Sequence, residues 1–196
     1  RASGLDRRRL LGYSVNDSFR FRELVAGAMS VKVSRVQATV VGEHGNSQVP
    51  LFSSVRIDGR PVRFGAQEKA AVRAQLRGVL VRYEALQAGR TAGWTCAVGL
   101  AAMARAVLED REEPLPCSVI LDGEYGQAAL SMSVPVRLGR AGVREVVEWP
   151  LEPDEQEGLE RSVAALRVAN GIVDRWLAEA RSAGLPRAGS GGQPTD

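Results

Sequence analysis

The sequence is poor in the residues that most often carry chemistry. It contains one histidine and two cysteines, and its only lysines are Lys32 and Lys69. Aromatic residues make up 5% of the chain and are not interleaved with its scattered arginines. We therefore predict no metal site, because metal ligands occur in clusters. We also predict no nucleic-acid binding, which usually needs a basic patch with aromatic side chains.

Longer sequence patterns are also missing. No apolar run approaches the roughly 18 residues of a membrane span, and no signal peptide opens the chain, so we expect a cytoplasmic protein without a membrane partner. No G-x-G-x-x-G motif follows a strand, and there is no P-loop, so any nucleotide-binding half lies outside this chain. Because the chain starts at Arg1 within a stretch that reads like the middle of a protein, we expect a fragment or a processed product.

The composition and patterning favour a folded α+β domain. Of the 196 residues 44% are apolar and 25% are charged, with a net charge of +3, as in globular proteins. Helices and strands do not alternate as βαβ units, which favours an antiparallel or mixed sheet packed with long helices and no Rossmann domain. We assign residues 1–185 to this domain and 186–196, rich in Gly, Ser and Pro, to a disordered tail.

Several elements can be assigned from periodicity. We predict helices over 17–30, 66–88 and 94–109, the last of them apolar and buried, and a long C-terminal helix with Pro153 in its first turn. We predict strands over 35–42, 51–58, 60–64 and 143–149, and an antiparallel hairpin across "DGEYGQ". Cys96 and Cys117 are expected to be reduced core residues.

The single histidine, His44, lies in "VVGEHGNSQVP", on a glycine-flanked turn after a predicted strand. A side chain there is held on one side and open on the other, which suits proton transfer. Asp17 and Arg20 lie three residues apart on one face of a predicted helix. A carboxylate against one ring nitrogen would fix the tautomer of His44 and favour its protonated form. The guanidinium could grip an organic carboxylate by two parallel hydrogen bonds.

Such a set suits the oxidation of a 2-hydroxy acid, in which the histidine takes the hydroxyl proton while a hydride leaves the carbon. Each residue also has a simpler interpretation. Asp17 fits a helix cap, Arg20 a solvated helix charge, and His44 a loop histidine bonded to a backbone carbonyl. Spacing alone does not decide between these interpretations.

A resemblance bears on this choice. The string "GEHGNSQVPLFSS" resembles the signature loop of the malate/lactate dehydrogenase family, usually G-[EA]-H-G-[DN]-S, and "NDSFRF" resembles its [LV]-D-x-x-R-[FY] helix start. "ILDGEYG" and "SVPVRLGRAGVREVVEWPLEPDEQEGLERS" resemble its C-terminal hairpin and last helix. The likeness spans most of residues 3 to 177 and covers the C-terminal, substrate-binding lobe of that family.

The resemblance implies roles for individual residues. By this resemblance, His44 stands at the position of the family's catalytic acid/base and Asp17 at that of the carboxylate that orients it. Arg20 stands at the position of the arginine that binds the substrate carboxylate. Thr95, from "TAGWTC", would contact the substrate and Val98 the nicotinamide. Asn16 stands where the family usually has an apolar residue beside the cofactor.

The resemblance also implies a nicotinamide cofactor and a small-molecule partner. The cofactor would be NAD or NADP, bound mainly by a domain that is absent from this chain. The partner would be a 2-hydroxy or 2-oxo acid, and a homo-oligomer is expected. The sequence leaves open malate against lactate. It also leaves open a second hypothesis, in which the chain is a stand-alone lobe that acts as an oligomerisation or interaction module without catalysis.

Overall fold

The fold combines helices with antiparallel strands. The computed structural model describes residues 4–87 and 93–183. Its helices are α1 Val15–Ala28, α2 Ala66–Arg77, α3 Val79–Ala85, α4 Gly93–Leu108 and α5 Pro153–Ser182. Its strands are β1 Gly12–Tyr13, β2 Val36–Gln37, β3 Val40–Val41, β4 Val49–Pro50, β5 Arg56–Ile57, β6 Arg60–Pro61, β7 Leu115–Asp122, β8 Ala128–Gly139 and β9 Gly142–Val146. The predicted tail 186–196 lies outside the described residues.

The largest sheet has four strands in the order β1-β7-β8-β9, and every pair is antiparallel. Successive side chains on a strand point to opposite sides of the sheet, so residues two apart share a side and can form the face that packs on the core. Along β8, five alternate residues are at most 1% exposed: Leu130, Met132, Val134, Val136 and Leu138. The predicted hairpin across "DGEYGQ" is confirmed as the β7-β8 pair.

A second core lies around α1, which buries Phe21 and Val25, one helical turn apart. The ring of Phe21 meets that of Phe52 edge to face, with centroids 5.0 Å apart. Val72 and Leu76 of α2 belong to the same cluster. The packing of Phe21 and Val25 thereby holds the middle of α1 against this core.

The predicted α+β class, with antiparallel sheets, long helices and no Rossmann domain in this chain, is confirmed. Other details were wrong. The predicted strand 35–42 is two strands, because β2 pairs with β5 whereas β3 pairs with β4. The predicted helix 66–88 is interrupted at Gly78. Asp17 does not cap α1, which begins at Val15 with Ser14 as its N-cap residue.

The helix predicted to be buried, α4, is largely exposed in this chain. Trp94, Val98, Leu100 and Leu108 are 81%, 62%, 53% and 64% exposed. Cys117 is fully buried as predicted, but Cys96 is only partly buried. High apolar content indicates that a helix needs a partner, and it does not say that the partner is in the same chain. Among the described residues, no helix combines the length and hydropathy needed to cross a membrane.

Candidate active site

The structure brings His44, Asp17 and Arg20 together. His44 Nδ1 lies 2.5 Å from Asp17 Oδ2, and Arg20 Nη1 donates to Asp17 Oδ1 at 3.2 Å. The carboxylate is almost wholly enclosed, with 5% of its side chain exposed, whereas the imidazole is 60% exposed. One oxygen of the Asp17 carboxylate therefore contacts the Arg20 guanidinium, and the other contacts the His44 ring, which is a cation when protonated. The rest of the ring is exposed to solvent.

Asp17 is positioned by the way α1 is fastened to its neighbours. Ser14, just before the helix, donates from its hydroxyl to Pro116 O at 3.3 Å and lies 2.8 Å from the Ser133 hydroxyl. Ser18 Oγ accepts a hydrogen bond from the Val40 amide at 2.9 Å. The first turn of α1 is thus tied to both β8 and β3, and β3 leads directly into the turn that carries His44.

The turn itself is anchored at Gly42. Gly42 and Ser133 of β8 exchange two backbone hydrogen bonds of 2.9 and 3.0 Å. The φ of Gly42 is +90°, and a Cβ there would lie 2.4 Å from Ser162 Oγ. Only glycine can adopt this positive φ and also leave room for the Ser162 hydroxyl without strain. Position 42 therefore fixes where the chain leaves the strand, two residues before the imidazole.

The last helix supplies a further anchor. Ser162 of α5 is fully buried, and its Oγ accepts a hydrogen bond from the Glu43 amide at 2.6 Å. The Glu43 carboxylate accepts hydrogen bonds from the amide of Ser47, at 3.1 Å, and from the hydroxyl of Ser47. Sequence reasoning missed Ser162, because a serine inside a long helix carries no signal of a contact 119 residues away.

The electrostatics favour a protonated histidine. The hydrogen bond to Asp17 raises the pKa of His44 above its usual value, and the Asp17 charge adds to this, while partial burial and Arg20 act against it. Because Nδ1 faces the carboxylate, the neutral ring carries its proton on Nδ1, which leaves Nε2 free to exchange a proton with a ligand. The pair is thus arranged for acid/base chemistry.

The other predicted residues lie around the start of α4. Asn16 is 5% exposed and donates from Nδ2 to Cys96 Sγ at 3.4 Å, while its Oδ1 is buried without a hydrogen-bond partner. The Tyr13 hydroxyl donates to Thr95 O at 3.1 Å, which ties β1 to the first turn of this helix. Val98 lies one turn further along and points its exposed side chain outward.

Tyr13 lies within electrostatic range of Cys96 and also of Arg20 and Asp17. Burial, followed by the nearby Cys96, raises the pKa of Tyr13 to about 12, and the charges of Arg20 and Asp17 act on it in opposite directions. Tyr13 also lines a cleft of about 400 Å³ beside His44, whose walls include Ser14, Ser118 and Ser133. A small polar molecule fits such a cleft. Within residues 4–87 and 93–183, no group of three or more His, Cys, Asp or Glu side chains could hold a metal ion.

Comparison with known proteins gives a consistent result. The family model described as lactate/malate dehydrogenase, alpha/beta C-terminal domain, matches residues 16–171. The malate dehydrogenase of Natronomonas pharaonis is 42% identical over 161 residues, which are 80% of this chain and 51% of that protein. This chain spans about half the length of the curated relatives it matches.

Solved structures agree with the sequence comparison. Malate dehydrogenase from Salinibacter ruber matches with a TM-score of 0.82 and 32% identity, over 90% of this chain and 59% of that chain. Lactate dehydrogenase from Cryptosporidium parvum, solved with lactic acid and β-nicotinamide adenine dinucleotide, matches with a TM-score of 0.81 and 30% identity. That match covers 87% of this chain and 56% of the other.

Proposed function

This chain belongs to the lactate/malate dehydrogenase family, as its alpha/beta C-terminal domain, and we propose that it is the catalytic lobe of a 2-hydroxy acid dehydrogenase. The reaction is the interconversion of a 2-hydroxy acid and a 2-oxo acid, with hydride transfer to or from a nicotinamide. The observation that carries the proposal is the 2.5 Å contact between His44 Nδ1 and the enclosed Asp17 carboxylate. The relatives named as malate and lactate dehydrogenases support the substrate class.

In this proposal His44 moves the proton. During oxidation its free Nε2 accepts the proton of the substrate hydroxyl, and during reduction the imidazolium returns it to the carbonyl oxygen. Asp17 keeps the ring in the Nδ1–H tautomer and stabilises the charge that forms on it. The nicotinamide, when bound, supplies the acceptor for the hydride that leaves the substrate carbon.

Arg20 binds the substrate carboxylate. Its Nη1 is engaged by Asp17, and the side chain is 28% exposed, so part of the guanidinium remains available to a ligand beside His44. Arginine can hold a carboxylate with two parallel N–H donors, which orients the acid as well as binding it. Thr95, in the first turn of α4, is proposed as a further substrate contact.

Two features of this chain fit a nicotinamide. Val98 offers an exposed apolar side chain for a ring to lie on, and Asn16 carries a buried amide oxygen that has no protein partner. The nicotinamide presents a flat ring and a carboxamide N–H, which match these two groups. We propose Asn16 and Val98 as this chain's contacts with NAD or NADP, the rest being bound by a domain outside residues 1–185.

A stand-alone interaction module remains the second candidate. It is favoured by the exposed apolar residues Val168, Ile172, Val173 and Trp176, which are spaced along the second half of α5 and are between 52% and 68% exposed. Large exposed apolar faces usually meet another protein surface. A homo-oligomer and a cytoplasmic location stay predictions from the sequence, as does the disordered tail 186–196.

One assay separates the two candidates. The complete protein that contains this chain is mixed with malate or lactate and with NAD or NADP, and reduced nicotinamide is followed by absorbance. We expect turnover with at least one pair, and the preferred pair also identifies the substrate and the cofactor. If the protein binds its partners but oxidises neither acid with either cofactor, the module is the correct interpretation.

A further inference from the structure

A second, larger cleft adjoins the turn that carries His44. It has a volume of about 510 Å³ and is lined by residues 46–50 of the turn, by α2 and by α5. Glu43 lines both this cleft and the one beside His44. A ligand held here would therefore contact the same short segment that holds the imidazole.

Arginines dominate the charge of this cleft. Arg73 and Arg77 of α2 and Arg161 of α5 line it, together with the carboxylates of Asp154 and Glu43. Both carboxylates are already engaged. Asp154 accepts from Arg73 Nη2 at 2.8 Å and from Lys69 Nζ at 3.4 Å, and Glu43 accepts from the hydroxyl and the amide of Ser47.

The two remaining arginines lack a firm counterion. No hydrogen bond or ion pair joins Arg77 to any residue that the structure describes. Arg161 approaches only Glu157, at 3.9 Å, and both side chains are at least 70% exposed. An exposed pair at that distance contributes little, because solvent screens it. Two guanidinium groups from different helices thus line one cleft, and neither has a close carboxylate partner among the described residues.

A buried amide sets a second requirement for the ligand. Gln48 lines the same cleft, and its Oε1 is buried without a hydrogen-bond partner. A buried acceptor without a donor is destabilising, because it has lost its hydrogen bonds to water. Because Gln48 borders the cleft, rotation of its amide can present this oxygen to a ligand that carries an O–H donor.

We propose that this cleft binds a small phosphate-type anion that retains a hydroxyl, with hydrogen phosphate as the simplest member. Arg77 and Arg161 bind the charged oxygens, and Gln48 Oε1 accepts a hydrogen bond from the hydroxyl. Sulfate has the same shape and charge but no proton to donate, so the site prefers phosphate. Because residues 46–50 form one wall and His44 lies two residues before them, the bound anion stabilises one arrangement of the turn.

Calorimetric titration of this chain with inorganic phosphate and with sulfate tests the proposal. We expect saturable phosphate binding, with affinity reduced about 10-fold or more in Arg77→Gln and in Arg161→Gln, since each removes a charge-assisted hydrogen bond. Arg105→Gln is the matched control. It also removes an exposed helical arginine paired with a glutamate four residues away, but on α4, and it should bind as the parent does.

The role of Gln48 has its own variant. Gln48→Met removes the unpartnered oxygen at similar volume, so the chain should still fold, and phosphate should lose its advantage over sulfate. As a second readout, NMR follows the signal of the single histidine, which we expect to shift on phosphate addition in the parent and not in Arg77→Gln.

Three results would overturn the proposal. The first is the absence of saturable phosphate binding. The second is equal binding by the parent and both arginine variants. The third is loss of binding in Arg20→Gln alone, which would place the anion beside His44. None of these measurements needs dehydrogenase activity, so failure of this site and failure of the proposed reaction are distinguishable.

Discussion

The imidazole of His44 and the carboxylate of Asp17 meet at 2.5 Å between Nδ1 and Oδ2, although they come from different elements 27 residues apart. The carboxylate is enclosed by α1 and its neighbours, whereas the ring is mostly exposed. An enclosed anion behind an exposed imidazole fixes one ring nitrogen and leaves the other to solvent or ligand.

Replacement of Asp17 by Asn should lower the pKa of His44. The hydrogen bond to Asp17 is the largest cause of the raised value, and its charge adds to the effect. The single histidine gives one ring signal, so a pH titration by NMR on this chain reports His44 alone. Arg105→Gln, which removes a charge far along α4, should leave the titration unchanged. An unaltered midpoint in Asp17→Asn would mean that the pair does not form in solution.

Stability should fall as pH rises through the titration of His44. Its pKa is raised by folding, so its contribution is fully present below the unfolded value of 6.5 and is lost as pH rises through the higher folded value. Urea unfolding of the parent and of His44→Gln across this range isolates the effect as a difference. The difference should shrink with increasing pH, and a difference that grows instead contradicts the assigned direction.

Replacement of His44 by Asn should abolish most turnover of the complete protein. Loss of a general acid/base typically lowers kcat by about 100- to 10,000-fold. At a pH above the titration of His44 the variant should unfold at nearly the same urea concentration as the parent, because the exposed ring then carries no stabilising charge. Steady-state kinetics with the preferred substrate pair measures the effect. Near-normal turnover in a folded variant would exclude His44 as the proton carrier.

Replacement of Arg20 by Lys keeps the charge and removes the planar fork. We expect KM for the 2-oxo acid to rise and kcat to fall, because the substrate is both held and oriented less well. Arg105→Lys serves as the control for the same exchange on an exposed helix. If both kinetic constants are unchanged in Arg20→Lys, the guanidinium does not clamp the carboxylate.

Replacement of Gly42 by Ala should destabilise the chain by about 2–4 kcal/mol, because positive φ is costly for alanine and the added Cβ meets the Ser162 hydroxyl. Gly171→Ala is the matched control, since nothing lies within 4 Å of a Cβ there. That change should stabilise the exposed helix by about 1 kcal/mol. Equal effects in urea unfolding would show that the turn tolerates a side chain at position 42.

The sequence was most informative where one periodic pattern decided the outcome. The β7-β8 hairpin and the long α5 helix beginning at Pro153 were predicted from alternation and from helix-end chemistry, and both are confirmed. For residues 35–42 the sequence predicted one strand, whereas the structure has two. Val36 and Val40 belong to one β-branched run, and a change of pairing partner between them leaves no mark on composition.

In the candidate site, too, some residues could be predicted from the sequence and others could not. Spacing and resemblance suggested His44, Asp17 and Arg20, which the structure brings within hydrogen-bond reach. The supports from Ser162 and Ser133 could not be predicted, because a hydroxyl on a helix or strand has no signal for a distant partner. The exposure of α4 was also missed, since hydropathy cannot say which chain covers an apolar face.

The hydroxyl of Ser162 has a consequence for the order of folding. It holds the Glu43 amide across 119 residues of sequence. A nascent chain that ends before α5 already carries the His44, Asp17 and Arg20 side chains and the backbone pairing of Gly42 with Ser133, but it lacks the hydroxyl that holds the Glu43 amide. Contacts of such long range form late, because closing a long loop costs entropy. We therefore expect the turn that carries His44 to reach its final arrangement only after the carboxyl-terminal helix docks.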